Sequence, residues 1–223
     1  MRLAVDVMGG DHGPAVVVQG AVQALKMAEA IQELILVGQE SAIRPLLPRS
    51  KGNEKSRMRV VHAPDVVTME DGPMDVLRRK KNSSMAKAID LVASNEADAI
   101  LSCGNTGGLL AAATIKLRRL GGIDRPGIAT VIPTPENEFV LLDAGANVES
   151  KPIHLVHYAI MGSIYSSEVL GYSRPRVGLL CNGTEESKGN ELTQEAYRMC
   201  KGLDLNFVGN VEGHDLFAGR VDV

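Results

Sequence analysis

Short apolar runs recur along the chain, and most of them end in a loop rich in Gly, Asn or Asp that leads into a helical pattern. The runs fall at 2–7, 33–38, 57–62, 98–102, 176–181 and 206–209; patterns of helical period cover 15–30, 83–95, 106–119, 151–170 and 190–201. Strands separated by a helix cannot pair through a tight hairpin. The alternation therefore predicts an α/β fold with a mostly parallel sheet, and right-handed crossovers place helices on both of its faces. Only the runs at 127–133 and 138–143 are linked closely enough for an antiparallel hairpin. A single α/β domain over 1–223 is expected. Residues 48–56 read as a surface loop. Arg220, Val221, Asp222 and Val223 read as a strand just beginning, so the chain is expected to be truncated at its C-terminus.

Composition removes several function classes. A hydrophobic fraction of 44% and a charged fraction of 23% lie in the globular range and exclude disorder. Aromatic residues are 3%, Trp is absent and the net charge is −3, so neither base stacking nor phosphate-backbone binding is supported. No nucleic acid partner is expected. No run approaches the ~18 apolar residues of a membrane span. Asp6 follows too soon after Met1 for a secretory signal. Three cysteines without a C-x-x-C pair indicate free thiols in a reducing cytoplasm.

In open parallel sheets, ligands bind beyond the carboxyl ends of the strands, so the loops there carry the candidate chemistry. The first holds Asp6, Gly9, Gly10, Asp11 and Gly13. Its glycines let backbone N–H groups approach an anion at a helix start. An ordinary tight turn with Asp11 as the helix cap is the alternative. The second holds Cys103, Gly104, Asn105 and Thr106, possible donors to phosphate oxygens or to an oxyanion, while Cys103 reads as a small buried thiol more readily than as a nucleophile. The third holds Asp143 and Asn147; Asp143 ends an apolar strand and either serves a ligand or acts as a cap or hydrogen-bond bracket for the neighbouring loop. The fourth, residues 182–191, superficially resembles a phosphate loop, but Lys188 precedes Gly189 and the G-K-[ST] order is missing, which excludes that nucleotide site. Lys188 either binds an anion or polarises a carbonyl, or is a solvated lysine paired with Glu185 or Glu186.

The five histidines show no zinc-binding spacing and there is no G-x-S-x-G elbow, so no metal and no ordinary serine hydrolase is expected. Arg78, Arg79, Lys80 and Lys81 form a basic run in an acidic chain. It either completes a helix C-terminus or receives an acidic partner.

The stretches LAVDVMGGDHGP (3–14), SSMAKAI (83–89), SCGNTGG (102–108), DRPGIATVIPT (124–134), LLDAGANVE (141–149), YAIMGS (158–163) and NGTEESKGNEL (182–192) together resemble the phosphate acyltransferases of bacterial phospholipid synthesis. The resemblance implies a three-layer α/β/α fold, similar to that of isocitrate and isopropylmalate dehydrogenases and of phosphotransacetylases. It implies transfer of a long-chain acyl group from acyl carrier protein to inorganic phosphate. The acyl phosphate would pass to a membrane glycerol-3-phosphate acyltransferase. It also implies a cytoplasmic homodimer able to associate peripherally with the membrane, and no cofactor. The family's site lysine falls on Lys188. A further segment containing a site asparagine is expected after Val223. Phosphate and thioester binding are accordingly expected at Asp6, Gly9, Gly10, Asp11, Gly104, Asn105, Thr106, Asp143 and Asn147. Catalysis is expected at Lys188, and carrier-protein docking at Arg78, Arg79, Lys80 and Lys81. A fragment that binds carrier protein or phosphate without turnover, and a dehydrogenase or phosphotransacetylase on a related fold, stand as alternatives.

Overall fold

The computed structural model describes residues 1–48, 53–147 and 149–223. The sequence pattern implies one domain; the contacts fall into two compact units, Met1–Arg119 and Leu120–Val223.

The first unit runs β1 (Arg2–Asp6), α1 (Gly13–Met27), β2 (Glu33–Gly38), α2 (Glu40–Ile43), α3 (Asn53–Ser56), β3 (Met58–His62), α4 (Asp75–Arg78), α5 (Ser84–Ala93), β4 (Ala99–Ser102) and α6 (Thr106–Lys116). The four strands are all parallel, in the order β3-β2-β1-β4. Successive strand residues point to opposite faces, and both faces are covered. Val5, Leu34 and Leu36 pack with Val18, Ala21 and Leu25 of α1. Ala4, Ile35 and Val37 pack with Ala88 and Leu91 of α5. Helix, sheet and helix make the expected three layers within this unit. Full burial of a side chain such as Ile35 or Leu36 contributes roughly 1.5–3 kcal/mol, so the central strands dominate its stability.

Local chemistry fixes the helix ends. Of the two serines before the apolar stripe, Ser83 and Ser84, either of which could cap the helix, Ser83 caps α5, its Oγ accepting from Ala86 N at 3.2 Å. α1 stops at Met27, short of the expected Ala30. The Arg57 guanidinium donates to the carbonyls of Leu25, Ala28 and Ile31 and so takes up acceptors that the helix end leaves open. The surface loop expected at 48–56 lies partly outside the described residues, and its last four form α3.

The second unit runs β5 (Ala129–Pro133), β6 (Glu138–Leu142), α7 (Pro152–Leu170), β7 (Val177–Leu180), α8 (Glu191–Lys201), β8 (Phe207–Val211) and α9 (Gly213–Phe217). β5 and β6 form the expected antiparallel hairpin, while β7 and β8 pair in parallel. The incipient strand at the C-terminus lies between them. Asp222 O accepts from Val140 N, Asp222 N donates to Arg176 O, and Val223 O accepts from Gly178 N, each at 2.9 Å. Arg176 donates from its backbone N, Nε and Nη2 to the buried Asp222 carboxylate at 2.7–3.0 Å. Burial raises the pKa of that carboxylate, but the Arg176 bonds outweigh burial and hold it below the usual range. Gly162 leaves room for this segment, since a Cβ there would collide with Val223. Among the described residues no helix is long and apolar enough to cross a membrane.

Candidate functional site

The strand order of the first unit reverses beside β1, which has β2 on one side and β4 on the other. This is the switch point at which open α/β sheets leave a crevice. The loops that follow β1 and β4 bring Asp6, Gly9, Gly10, Asp11, Gly104, Asn105 and Thr106 to the same end of the sheet. The loops pack backbone against backbone. A Cβ on Gly9 would lie 2.9 Å from Gly104 N and 2.8 Å from Asp6 Oδ2, and one on Gly10 would lie 3.2 Å from Cys103 Cβ. Asp6 is buried. Its Oδ2 accepts from Ser102 Oγ at 2.7 Å and its Oδ1 from Met8 N at 3.2 Å; Ser102 Oγ in turn accepts from Gly104 N at 3.1 Å. The carboxylate thus welds the two loops together. Asp11, Thr106 and Cys103 are exposed. The cap of α1 is His12, not Asp11, and no side chain closes its first turn.

Asn105 is almost wholly engaged by the protein. Its Oδ1 caps α6 by accepting from Gly108 N at 2.8 Å. Its Nδ2 donates to Asp71 O at 2.9 Å and to Thr68 O at 3.1 Å. A third loop, 68–74, is thereby fastened over the start of α6, where Gly107 leaves space for Pro73. Asp71 holds that loop internally, accepting from Lys80 Nζ at 2.5 Å and from Thr68 N at 2.6 Å. The Lys80 hydrogen bond, with those from Thr68, lowers the Asp71 pKa to about 2. Of the basic run, Lys80 is therefore committed to the fold and Arg79 pairs with Asp75 at 3.5 Å; Arg78, Arg79 and Lys81 are exposed.

In the second unit, the loop after β6 holds Asp143 and Asn147. Asp143 Oδ1 accepts from Ile128 N at 2.9 Å and Ala146 N at 3.2 Å; its Oδ2 accepts from Asn147 N at 2.8 Å and Asn147 Nδ2 at 2.9 Å. The carboxylate brackets the loop after β6 and ties it to Ile128, before β5. Both residues border a cleft of about 380 Å³ that also meets Leu142, Tyr158, Leu179 and Leu180. The Tyr158 hydroxyl lies beside Asn147 and Ser150 without reaching hydrogen-bond geometry, and burial pushes its pKa up.

Lys188 stands in the loop between β7 and α8. Among the described residues Lys188 forms an ion pair with neither Glu185 nor Glu186: Glu186 meets Lys201 at 3.1 Å, and the Glu185 carboxylate lies by Gly183, as the lysine's stem does. Lys188 is exposed, and its stem lies over the buried Gly183, where a Cβ would come 2.6 Å from Lys188 Cγ. Asn182 Oδ1 accepts from Gly189 N at 3.0 Å, and Asn190 caps α8 by accepting from Thr193 N at 3.0 Å. Ser102, Asp71, Gly183 and Asn210 support these loops and escape the sequence reading. Asp6 and Glu185, the partners of Ser102 and Asn210, are distant in sequence, and only the positions of Ser102 and Gly183 inside the motifs hint at a role.

Glu212, His214 and Asp215 offer ligand atoms within 4.8 Å of one another. Asp215 is already spent on Arg220 at 2.6 Å and on Glu212 N at 3.0 Å, within the first turn of α9. The group reads as a helix cap with its counter-ion rather than a metal centre.

The model of the family described as "Fatty acid synthesis protein" matches residues 1–223. A phosphate acyltransferase of Pelotomaculum thermopropionicum is 49% identical over 223 residues, covering 100% of this chain and 64% of that protein. One from Desulfitobacterium hafniense is 50% identical over 220 residues, covering 99% and 64%. The chain thus spans about 64% of the length of these relatives. Among solved structures, a branched-chain phosphotransacylase from Enterococcus faecalis has a TM-score of 0.61 at 17% identity, over 97% of this chain and 70% of that one. The EutD phosphotransacetylase of Staphylococcus aureus has a TM-score of 0.64 at 18% identity, over 95% and 68%. At such identities the structures share the fold.

Proposed function

We infer a function from one premise: the chain belongs to the fatty acid synthesis protein family, and its sequence relatives are phosphate acyltransferases. The reaction is acyl transfer from the thioester of acyl carrier protein to inorganic phosphate. A phosphate oxygen attacks the thioester carbonyl carbon, a tetrahedral oxyanion forms, the C–S bond breaks and the carrier leaves as a thiolate. Phosphate is already an anionic nucleophile, so no acyl-enzyme, metal or organic cofactor is required.

The glycine loops at 9–13 and 104–108 lead into α1 and α6 and cradle phosphate; the first turn of α1, which no side chain caps, supports this. Lys188 stabilises the oxyanion and the pooled negative charge. The observation that carries this assignment is the lysine's setting. It is an exposed cation on a hydrogen-bonded loop, its stem seated on a glycine, with the nearby Glu186 engaged elsewhere. Arg78, Arg79 and Lys81 are the docking face for the acidic carrier protein. A homodimer in the cytoplasm, peripheral contact with the membrane and delivery of acyl phosphate to a membrane glycerol-3-phosphate acyltransferase complete the reading. The kinship with isocitrate and isopropylmalate dehydrogenases is part of it, supported by the doubly wound strand order.

The test is release of free thiol from palmitoyl–acyl carrier protein, with and without phosphate. It is run on this chain and on a fusion of it to the remaining third of a relative. Phosphate-dependent release that falls by about 10²–10³ in Lys188→Ala is expected for an oxyanion donor. Equal turnover in Lys188→Ala refutes the lysine's role, and phosphate-independent release refutes the reaction. Binding of carrier protein by this chain, with turnover confined to the fusion, favours the binding-fragment reading for the chain alone.

A further inference from the structure

We propose that Asn210 is a positioning residue for Lys188, acting through the carbonyl of Glu185; the proposal rests on the role assigned to Lys188 above. Asn210 lies in β8, in an otherwise apolar strand, and is 5% exposed. A buried amide in such a strand must find partners within the protein. Its Nδ2 donates to Glu185 O at 2.8 Å. The same carbonyl accepts from the backbone N–H of Lys188 at 3.0 Å. One oxygen therefore joins the rigid strand to the lysine's own peptide.

The rest of the loop is braced to match. Gly189, on the far side of Lys188, donates to Asn182 Oδ1, and Gln194 Nε2 donates to Ser187 O at 2.8 Å. Gly183 removes the one Cβ that would push the lysine stem aside. Lys188 is thus fixed along its backbone by Asn182 and Asn210 and along its stem by Gly183, while its ammonium stays in solvent. A loop braced only for stability has no need of a glycine beneath an exposed lysine. The Oδ1 of Asn210 has no partner among the described residues, so there the amide is held by its donor side alone. The contact to Glu185 O is accordingly the feature a substitution removes.

The experiment has two arms. In the first, hydrogen exchange of the Lys188 amide is followed by NMR in the whole chain. Asn210→Ala, and Asn210→Asp, which is isosteric but has no donor for Glu185 O, should each speed it about tenfold and leave Ala196 in α8 unchanged. The Asp variant decides where the Ala variant does not fold. An unmoved Lys188 amide overturns the proposal. In the second arm, phosphate-dependent thiol release is measured. Asn210→Ala and Gly183→Ala should each lower kcat about 10- to 100-fold, the scale of an ångström's misplacement, with KM for the acyl donor little changed. In a Lys188→Ala background neither should lower it further. Losses that add to that of Lys188→Ala overturn the proposal, because they mean that Asn210 acts on something other than the lysine. If neither the unaltered chain nor its fusion to the remaining third of a relative shows phosphate-dependent release, the functional reading is what fails, and the exchange arm alone decides Asn210.

Discussion

Replacing Asn105 with Ala separates a ligand from a clamp. The side chain caps α6 through Gly108 N and donates to the carbonyls of Thr68 and Asp71. Loss of an N-cap costs typically ~1 kcal/mol. Each neutral hydrogen bond contributes ~0.5–1.5 kcal/mol, and buried carbonyls left without a donor add to the loss. Asn105→Ala should therefore destabilise the first unit by about 2–4 kcal/mol. Asn105→Asp keeps the capping oxygen but loses both donors, so it should recover about 1 kcal/mol of that. The assay is urea unfolding by far-ultraviolet circular dichroism, with native-state hydrogen exchange at Gly108 and Leu109 to place the loss at the start of α6. A residue that serves only to bind phosphate is freely exchangeable for Ala in the absence of ligand. A change below about 0.5 kcal/mol in Asn105→Ala without phosphate refutes the clamp.

Three further outcomes follow from groups in and around the site. The Asp71 carboxylate is held at about 2 by Lys80 and Thr68, below its ordinary value in the unfolded chain. Its hold on loop 68–74 is therefore complete above the ordinary carboxylate range and is lost as pH falls through about 2. The Thr68 amide should exchange with constant protection from pH 7 to 5, and in Lys80→Met the loss should move up towards pH 4; no shift in that variant refutes the pairing. Burial pushes the Cys200 thiol up to about 11, which leaves roughly one thiolate in a thousand at pH 8, whereas Cys103 is exposed. Iodoacetamide at pH 8 should alkylate Cys103 and spare Cys200 until denaturant is added; equal labelling by mass spectrometry contradicts the burial. Reversing Arg78, Arg79 and Lys81 to Glu should weaken acyl carrier protein binding about tenfold or more at low salt and little at high salt, because exposed charges are screened. Unchanged affinity at low salt excludes this face. Lys80 is left in place because it holds Asp71.

Most of the sheet was legible because strands buried on both faces read as unbroken apolar runs; ELILVG at 33–38 becomes β2 without adjustment. The hairpin at 127–143 followed from its short link. Ser83 announced α5 because a cap must stand directly before the apolar stripe. The single-turn helices α2, α3, α4 and α9 carry too few residues to show a period. Nothing local in loop 68–74 says that Asn105 is its anchor. The same limit applies to charge. Asp6 and Asp143 were visible as carboxylates at strand ends, but Asp6 is closed by Ser102 of another strand and Asp143 by backbone N–H groups around it. A carboxylate that braces a loop and one that awaits a ligand have the same sequence signature until their donors are located.

The glycines pose this problem most sharply. A glycine-rich loop marks a close approach to the backbone, and the sequence does not say what approaches. At Gly9 and Gly104 it is the other loop: a Cβ on Gly9 would lie 2.9 Å from Gly104 N, and one on Gly104 would crowd Gly9 Cα at 3.2 Å. At Gly13, with a positive φ of 70° and nothing within 4 Å of a built Cβ, the glycine serves conformation and leaves the space above it open. The two helix starts differ in the same way. The first turn of α6 is closed by Asn105, while that of α1 has no side-chain cap. Loops that look equivalent in sequence therefore have unequal capacity for an anion. Loop 102–108 is largely consumed in holding the unit together, whereas the first turn of α1, which follows loop 7–13, has no side-chain cap.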